Sequence, residues 1–152
     1  MAQESNEEIA ELIARFPACI TYVPVKGEVN FTQLLSLKGM VVHEIQPRRD
    51  LDPMREANEV IEKMREKEVA ILVPGRHFDA TGTRHGKGAG WYDRFLAAVP
   101  PPWIRIGFCT DTQFSIEPLV RESWDEPMDY VVVVPEEGTH LFYTTGARPA
   151  ML

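Results

Sequence analysis

Cysteine is scarce in this chain of 152 residues: there are two, Cys19 and Cys109, far apart and each inside a strand-like apolar stretch. A disulfide framework or a structural zinc site needs more cysteines at closer spacing, so buried free thiols in a reducing cytoplasm are expected. Long apolar runs are missing as well. None approaches the roughly 20 residues that a membrane-spanning helix requires, which excludes the bilayer as an expected partner. Positive charge is in deficit, with 16 Lys and Arg against 23 Asp and Glu and a net charge of −7; such a balance argues against nucleic acid or an anionic membrane surface. The opening MAQESNEE has neither a basic n-region nor an apolar h-region, so no secretory leader is expected. Internal repeats, low-complexity tracts and linkers are also lacking. What remains is an ordinary globular composition, 44% hydrophobic and 26% charged, at a length that suits a single domain over residues 1–152 with one core.

Local pattern then orders the elements. Ser5-Asn6-Glu7-Glu8 has the form of a capping box, and Ile9, Leu12, Ile13 and Phe16 recur on one helical face until Pro17 halts them. Residues 19–23 read as a strand and 24–27 as the turn after it. Asn30 predicts the cap of a short helix over 31–37, and 40–45 a second strand. Asp52-Pro53 predicts a helix start, with Met54, Ala57, Val60, Ile61 and Met64 as the buried stripe of a helix reaching about Lys67. Val69 to Val73, short, apolar and bounded by Pro74-Gly75, predicts a buried strand. Further on come a helix over 91–98 stopped by Pro100-Pro101-Pro102, a strand over 104–109, an irregular stretch over 110–128, a strong strand over 130–134 and an edge strand over 141–144. The last few residues are expected to be loose. Strands alternating with helices predict an α/β fold, a three-layer α/β/α sandwich with a mostly parallel, Rossmann-like sheet, in which ligands gather beyond the carboxyl ends of the strands.

The stretch from Val69 to Leu96, VAILVPGRHFDATGTRHGKGAGWYDRFL, is where such an end meets chemistry. Gly82, Gly86, Gly88 and Gly90 permit left-handed backbone and close approach of a ligand to bare amides. A loop of this kind running into a helix start presents donors and a positive dipole end to an anion. Between Pro74 and Phe95 four basic residues, Arg76, Arg84, Lys87 and Arg94, face two acidic ones, Asp79 and Asp93, a local surplus of two in an acidic protein. A small anionic ligand fits that island better than a polyanion. Neither the P-loop nor the dinucleotide fingerprint is satisfied, since the spacing and hydroxyl of the first fail and Trp91 stands where the second needs glycine. A weaker reading, metal-dependent hydrolysis by His77, Asp79 and His85, matches no ligand spacing.

The ordered set Pro74-Gly75, Phe78-Asp79, Gly82, Arg84, Gly86, Gly88, Gly90 and Tyr92-Asp93-Arg94 resembles the signature of the 5-formyltetrahydrofolate cyclo-ligase family, also called methenyltetrahydrofolate synthetases. Tyr22-Val23-Pro24 with Gly27-Glu28-Val29 resembles the family's early strand and its substrate glutamate. Gln113, Pro118, Asp125, Pro127 and Asp129 follow in the family's order. The resemblance implies conversion of 5-formyltetrahydrofolate to 5,10-methenyltetrahydrofolate with ATP and Mg2+. On it, Arg84, Lys87 and Tyr92 would be catalytic, Arg84 at the transferred phosphate and formyl oxygens. Gly86, Gly88, Ala89, Gly90 and Trp91 would hold the nucleotide, Glu28 and Tyr92 the reduced folate, and Asp93 the magnesium. The chain also departs from the pattern. Members usually begin with a basic helix that contacts ATP, whereas nothing before Arg15 is basic here; Ala89 stands where many members carry a lysine, a role Lys87 would take; and Trp124 replaces a histidine. A non-catalytic relative that binds folate or nucleotide is the alternative.

Overall fold

The structure, a computed structural model, describes residues 2–4, 6–46, 50–86 and 90–148, with side chains described from residue 8 onward. Ser5 of the capping box, Arg48 and Arg49, the loop residues Lys87, Gly88 and Ala89, and the final residues 149–152 lie outside the described residues.

In chain order the elements are β1 (Ala2–Glu4), α1 (Asn6–Ala14), β2 (Ala18–Tyr22), β3 (Val41–Ile45), α2 (Pro53–Lys63), β4 (Val69–Val73), β5 (His77–Asp79), β6 (Arg84–His85), α3 (Trp91–Ala98), β7 (Ile104–Thr110), β8 (Phe114–Ser115), β9 (Tyr130–Val134) and β10 (Leu141–Thr144). Seven strands form one sheet in the order β1-β10-β9-β7-β4-β2-β3. The pairs β3–β2, β2–β4, β4–β7 and β7–β9 are parallel, and β9–β10 and β10–β1 antiparallel. The sheet is therefore largely parallel, as its alternating pattern predicts.

Period-two alternation in β4 shows how the layers form. Val69, Ile71 and Val73 point into the core shared with α2 and α3, and Ala70 and Leu72 into the core shared with α1. On one side Ala57 and Val60 of α2, with Met64 just past its end, pack with Phe95 and Leu96 of α3; on the other, Ile9, Leu12 and Ile13 of α1 pack with Phe31, Phe108 and Val132. All of these side chains are buried, and full burial of each of the larger ones, the alanines apart, contributes about 1.5–3 kcal/mol before chain entropy is counted. Both cysteines are buried and free, and desolvation pushes each thiol up to about 12.

Several local expectations change. The helix at 31–37 is a single 3-10 turn, Phe31–Gln33, although Asn30 does cap it by accepting from the Thr32 amide at 3.2 Å. The second long helix begins on the Asp52 cap and Pro53 but ends at Lys63, where Met64 and the left-handed Glu66 (φ 63°) turn the chain towards β4. Met54, read as part of its apolar stripe, is half exposed. The strand at 141–144 is not an edge, because β1 covers it. The stretch between β4 and α3 is more than a loop: β5 and β6 form a hairpin that β8 joins, making a second sheet in the order β6-β5-β8.

Candidate functional site

Three neighbouring strands, β2, β4 and β7, end on the same side of the sheet, and the segments leaving them build the candidate site. From β2 the chain moves to β3, whereas from β4 it moves the other way to β7. The gap between β2 and β4 is thus a topological switch point, where open parallel sheets leave a crevice.

Glu28 comes from the turn after β2. Its amide donates to Val25 O at 2.9 Å and its Oε1 accepts from the Val25 amide at 3.0 Å, so the side chain closes its own turn. The Tyr22 hydroxyl anchors the turn's base on Val29 O at 2.6 Å. From the end of β7, Gln113 reaches across: its Nε2 donates to Gly27 O at 2.9 Å while its Oε1 accepts from the Thr110 amide at 2.9 Å. One glutamine therefore ties two strand ends together.

The hairpin after β4 is organised by Asp79, which is buried and accepts four hydrogen bonds. Oδ1 takes the Thr81 amide, the Thr81 hydroxyl and the Thr83 amide at 2.9, 2.7 and 3.0 Å, and Oδ2 takes the Leu119 amide at 2.7 Å. Burial alone would raise its pKa, but these donors outweigh it and hold the carboxyl below its usual range. At the hairpin's bend Gly82 adopts φ 93° and donates to Asp79 O while its carbonyl accepts from the Met128 amide at 2.8 Å; a Cβ there would lie 2.5 Å from Met128 O. Only glycine permits that approach. Asp79 is thereby a framework group, His77 is exposed, and His85 Nε2 lies 2.7 Å from Val120 O. Among the described residues these three form no metal-binding cluster.

Arg84 follows on β6 and turns inward. Its Nε donates to Pro74 O at 2.6 Å and its guanidinium carbon lies 4.8 Å from the Tyr92 ring centroid. Burial lowers its pKa, opposed by Tyr92, Asp93, Glu28 and Asp125, and a guanidinium keeps its charge regardless. Among the described residues it forms no ion pair. Gly86 passes close by, since a Cβ on it would sit 2.9 Å from an Arg84 terminal nitrogen.

Gly90, at φ 68°, is the N-cap of α3, and among the described residues no side chain caps that helix. Uncapped first-turn amides are the ordinary means of holding an anion. Tyr92 in that turn is buried, and its hydroxyl has no hydrogen-bond partner among the described residues. Burial raises its pKa, with Arg84 opposing and Glu28 adding, so it remains a protonated donor. Asp93 is half-buried: burial raises its pKa, the Glu126 amide and Arg84 lower it, and Asp125 and Glu126 raise it. Its Oδ1 accepts from the Glu126 amide at 3.0 Å. Trp91 faces elsewhere, its Nε1 donating to Leu51 O at 2.9 Å and its ring stacked on Phe95, so from this residue only the backbone belongs to the helix start.

Arg84 links the set: the Tyr92 ring lies 4.8 Å from its guanidinium carbon, and Tyr92, Asp93 and Glu28 act on it electrostatically. Sequence reasoning assigned no role to Gln113 or Asp125, although both had been placed in order, and Arg105 and Glu126 carried no signal at all. The convergence defines a class: a Rossmann-like α/β protein with a buried cation, an orphan hydroxyl donor and a helix start gathered at the switch point. Comparison narrows it. The 5-formyltetrahydrofolate cyclo-ligase family profile matches residues 26–134, and the chain belongs to that family. A 5-formyltetrahydrofolate cyclo-ligase of Mycoplasma genitalium is 22% identical over 138 residues, covering 86% of this chain and 82% of the relative. Among solved structures, a 5,10-methenyltetrahydrofolate synthetase from Mycoplasma pneumoniae superposes with a TM-score of 0.58 at 20% identity, covering 87% of this chain and 82% of that one. The Aquifex aeolicus synthetase gives 0.54 at 22% identity, with coverages of 97% and 88%. These two likenesses establish the shared fold.

Proposed function

We propose that the chain converts 5-formyltetrahydrofolate to 5,10-methenyltetrahydrofolate at the expense of ATP. An N-formyl oxygen does not depart as hydroxide at neutral pH. In the proposed sequence the formyl oxygen attacks the terminal phosphorus of ATP and ADP leaves; N10 then adds to the activated carbon, gives up its proton, and the oxygen departs with the phosphate. Positioned cations and backbone donors carry such a transfer more than covalent help does.

Arg84 has the central place. Its terminal nitrogens suit two acceptor oxygens at once, and its buried charge lacks an ion-pair partner among the described residues, which is the single observation that carries the reading. Glu28 orients the folate near its reacting end. Tyr92 offers its hydroxyl to a ligand oxygen. Gly86, Gly90 and the amide of Trp91 are assigned to the nucleotide phosphates at the start of α3, and Lys87, Gly88 and Ala89, which lie outside the described residues, are assigned to them by their place in the motif alone. The donor set fits magnesium: Asp93 has one oxygen engaged by the Glu126 amide, Asp125 acts on it electrostatically, and this cation prefers one or two carboxylates plus substrate phosphates to an all-protein cage. When bound it would neutralise phosphate charge.

An acidic first helix, with no basic residue before Arg15, favours a second reading, a relative that binds folate or nucleotide without turnover. One assay separates them. Purified protein with 5-formyltetrahydrofolate and Mg-ATP should form the methenyl product, detected by its ultraviolet absorbance, and only when ATP is present. Calorimetric binding of folate or nucleotide without product would select the second reading.

A further inference from the structure

Residues 125–129 form a strap along α3, held at both ends. At the upper end the Glu126 amide donates to Asp93 Oδ1 at 3.0 Å. At the lower end Arg105 of β7, 3% exposed, gathers three groups: Nη2 donates to Leu96 O and Glu126 Oε1, both at 3.0 Å, and Nη1 to Pro127 O at 3.2 Å. Leu96 O belongs to the last turn of α3, so the guanidinium also faces the negative end of that helix. Below it Asp129 accepts from the Arg105 amide at 2.9 Å and takes Arg148 through two bonds of 2.9 and 2.7 Å. Arg148 in turn donates to Pro101 O and Trp103 O.

For stability alone this is an expensive arrangement. Arg105 is desolvated, its Nε has no partner among the described residues, and a buried ion pair is often no more stabilising than apolar side chains of similar volume. What the charged groups achieve is placement, since they fix residues 126 and 127 against the same helix that carries Asp93.

We propose that Arg105 is a positioning residue for Asp93, holding the strap on α3 so that the Glu126 amide stays on one carboxylate oxygen and the other is available to a nucleotide-borne cation. The proposal rests on the reading of Asp93 as the carboxylate that meets magnesium. Groups behind a metal ligand commonly change metal affinity 10–100-fold when removed.

The test uses Mn2+ as a paramagnetic probe, titrated by electron paramagnetic resonance into the full chain saturated with a non-hydrolysable ATP analogue. Glu126→Gln breaks the ion pair and keeps the amide. The double variant Arg105→Met with Glu126→Met removes both charges and preserves packing. Both should bind Mn2+ about 10–100-fold more weakly, with far-UV circular dichroism and metal-free analogue affinity unchanged. If both fold and bind Mn2+ within about twofold of the parent, the positioning role is overturned and the site reading stands. If the parent itself binds the analogue and no Mn2+, the metal role of Asp93 fails and this proposal with it.

Discussion

Replacing Asp79 by Asn removes one charge and almost no volume, yet four donors converge on that carboxylate. With the new amide nitrogen in the Oδ2 place it faces the Leu119 N–H, donor against donor; turned the other way it opposes three donors. The first arrangement is cheaper. It loses one hydrogen bond to a charged acceptor, about 1.5–3 kcal/mol, leaves a buried N–H unsatisfied and weakens the three bonds that survive. A loss of about 3 kcal/mol follows, and with a urea slope near 2 kcal/mol/M the midpoint should fall by about 1.5 M. The loss is local first, since Asp79 joins the hairpin that carries Arg84 to the segment at Leu119. Hydrogen exchange at Thr81, Thr83 and Leu119 should therefore quicken before exchange in β4 does. The pH dependence has a definite sign. The folded-state pKa is depressed, so the stabilisation is present above the unfolded value of about 3.9 and lost as pH falls through the folded one; parent and variant should converge in acid. A midpoint shift under about 0.5 M at neutral pH, with exchange unchanged, would refute the framework role of this carboxylate.

Three substitutions probe the convergence at Arg84. Arg84→Lys keeps the charge and loses the planar fork, so kcat/KM for the proposed reaction should fall about 10³-fold while the thermal midpoint stays near that of the parent; full turnover would remove Arg84 from the mechanism. Gly86→Ala places a Cβ 2.9 Å from an Arg84 terminal nitrogen, a mobile group that can give way, so kcat/KM should drop about 10²-fold with little change in urea stability. Tyr92→Phe deletes a hydroxyl that has no partner among the described residues; stability should hold or rise by about 1 kcal/mol in urea denaturation, and ligand affinity by calorimetry should weaken if that hydroxyl meets a ligand oxygen.

How much of this could be read beforehand depends on how far each signal reaches along the chain. The helix at 91–98, the strands at 69–73 and 130–134 and the start on Asp52-Pro53 were legible because periodicity, caps and breakers are local and agree with one another. The second sheet was not, since β5, β6 and β8 contain three, two and two residues, too few to alternate. β1 was missed for the same reason, which is why 141–144 read as an edge. At the site, Arg84, Tyr92 and Asp93 lie within one short motif, and Glu28 was placed beside the family's early strand. Gln113 and Arg105 act through partners 86 and 21 residues away in sequence, and no pattern within either segment announces that. Trp91 illustrates the converse: its place in the motif suggested ligand contact, and Leu51, 40 residues earlier, takes its indole N–H.

The central claim is that the formyl oxygen leaves on phosphorus. Supplying 5-formyltetrahydrofolate labelled with 18O in the formyl group, together with Mg-ATP, and analysing the inorganic phosphate by mass spectrometry tests it most directly. The account predicts one 18O atom in the phosphate for each methenyl product formed; methenyl product accompanied by unlabelled phosphate would contradict it.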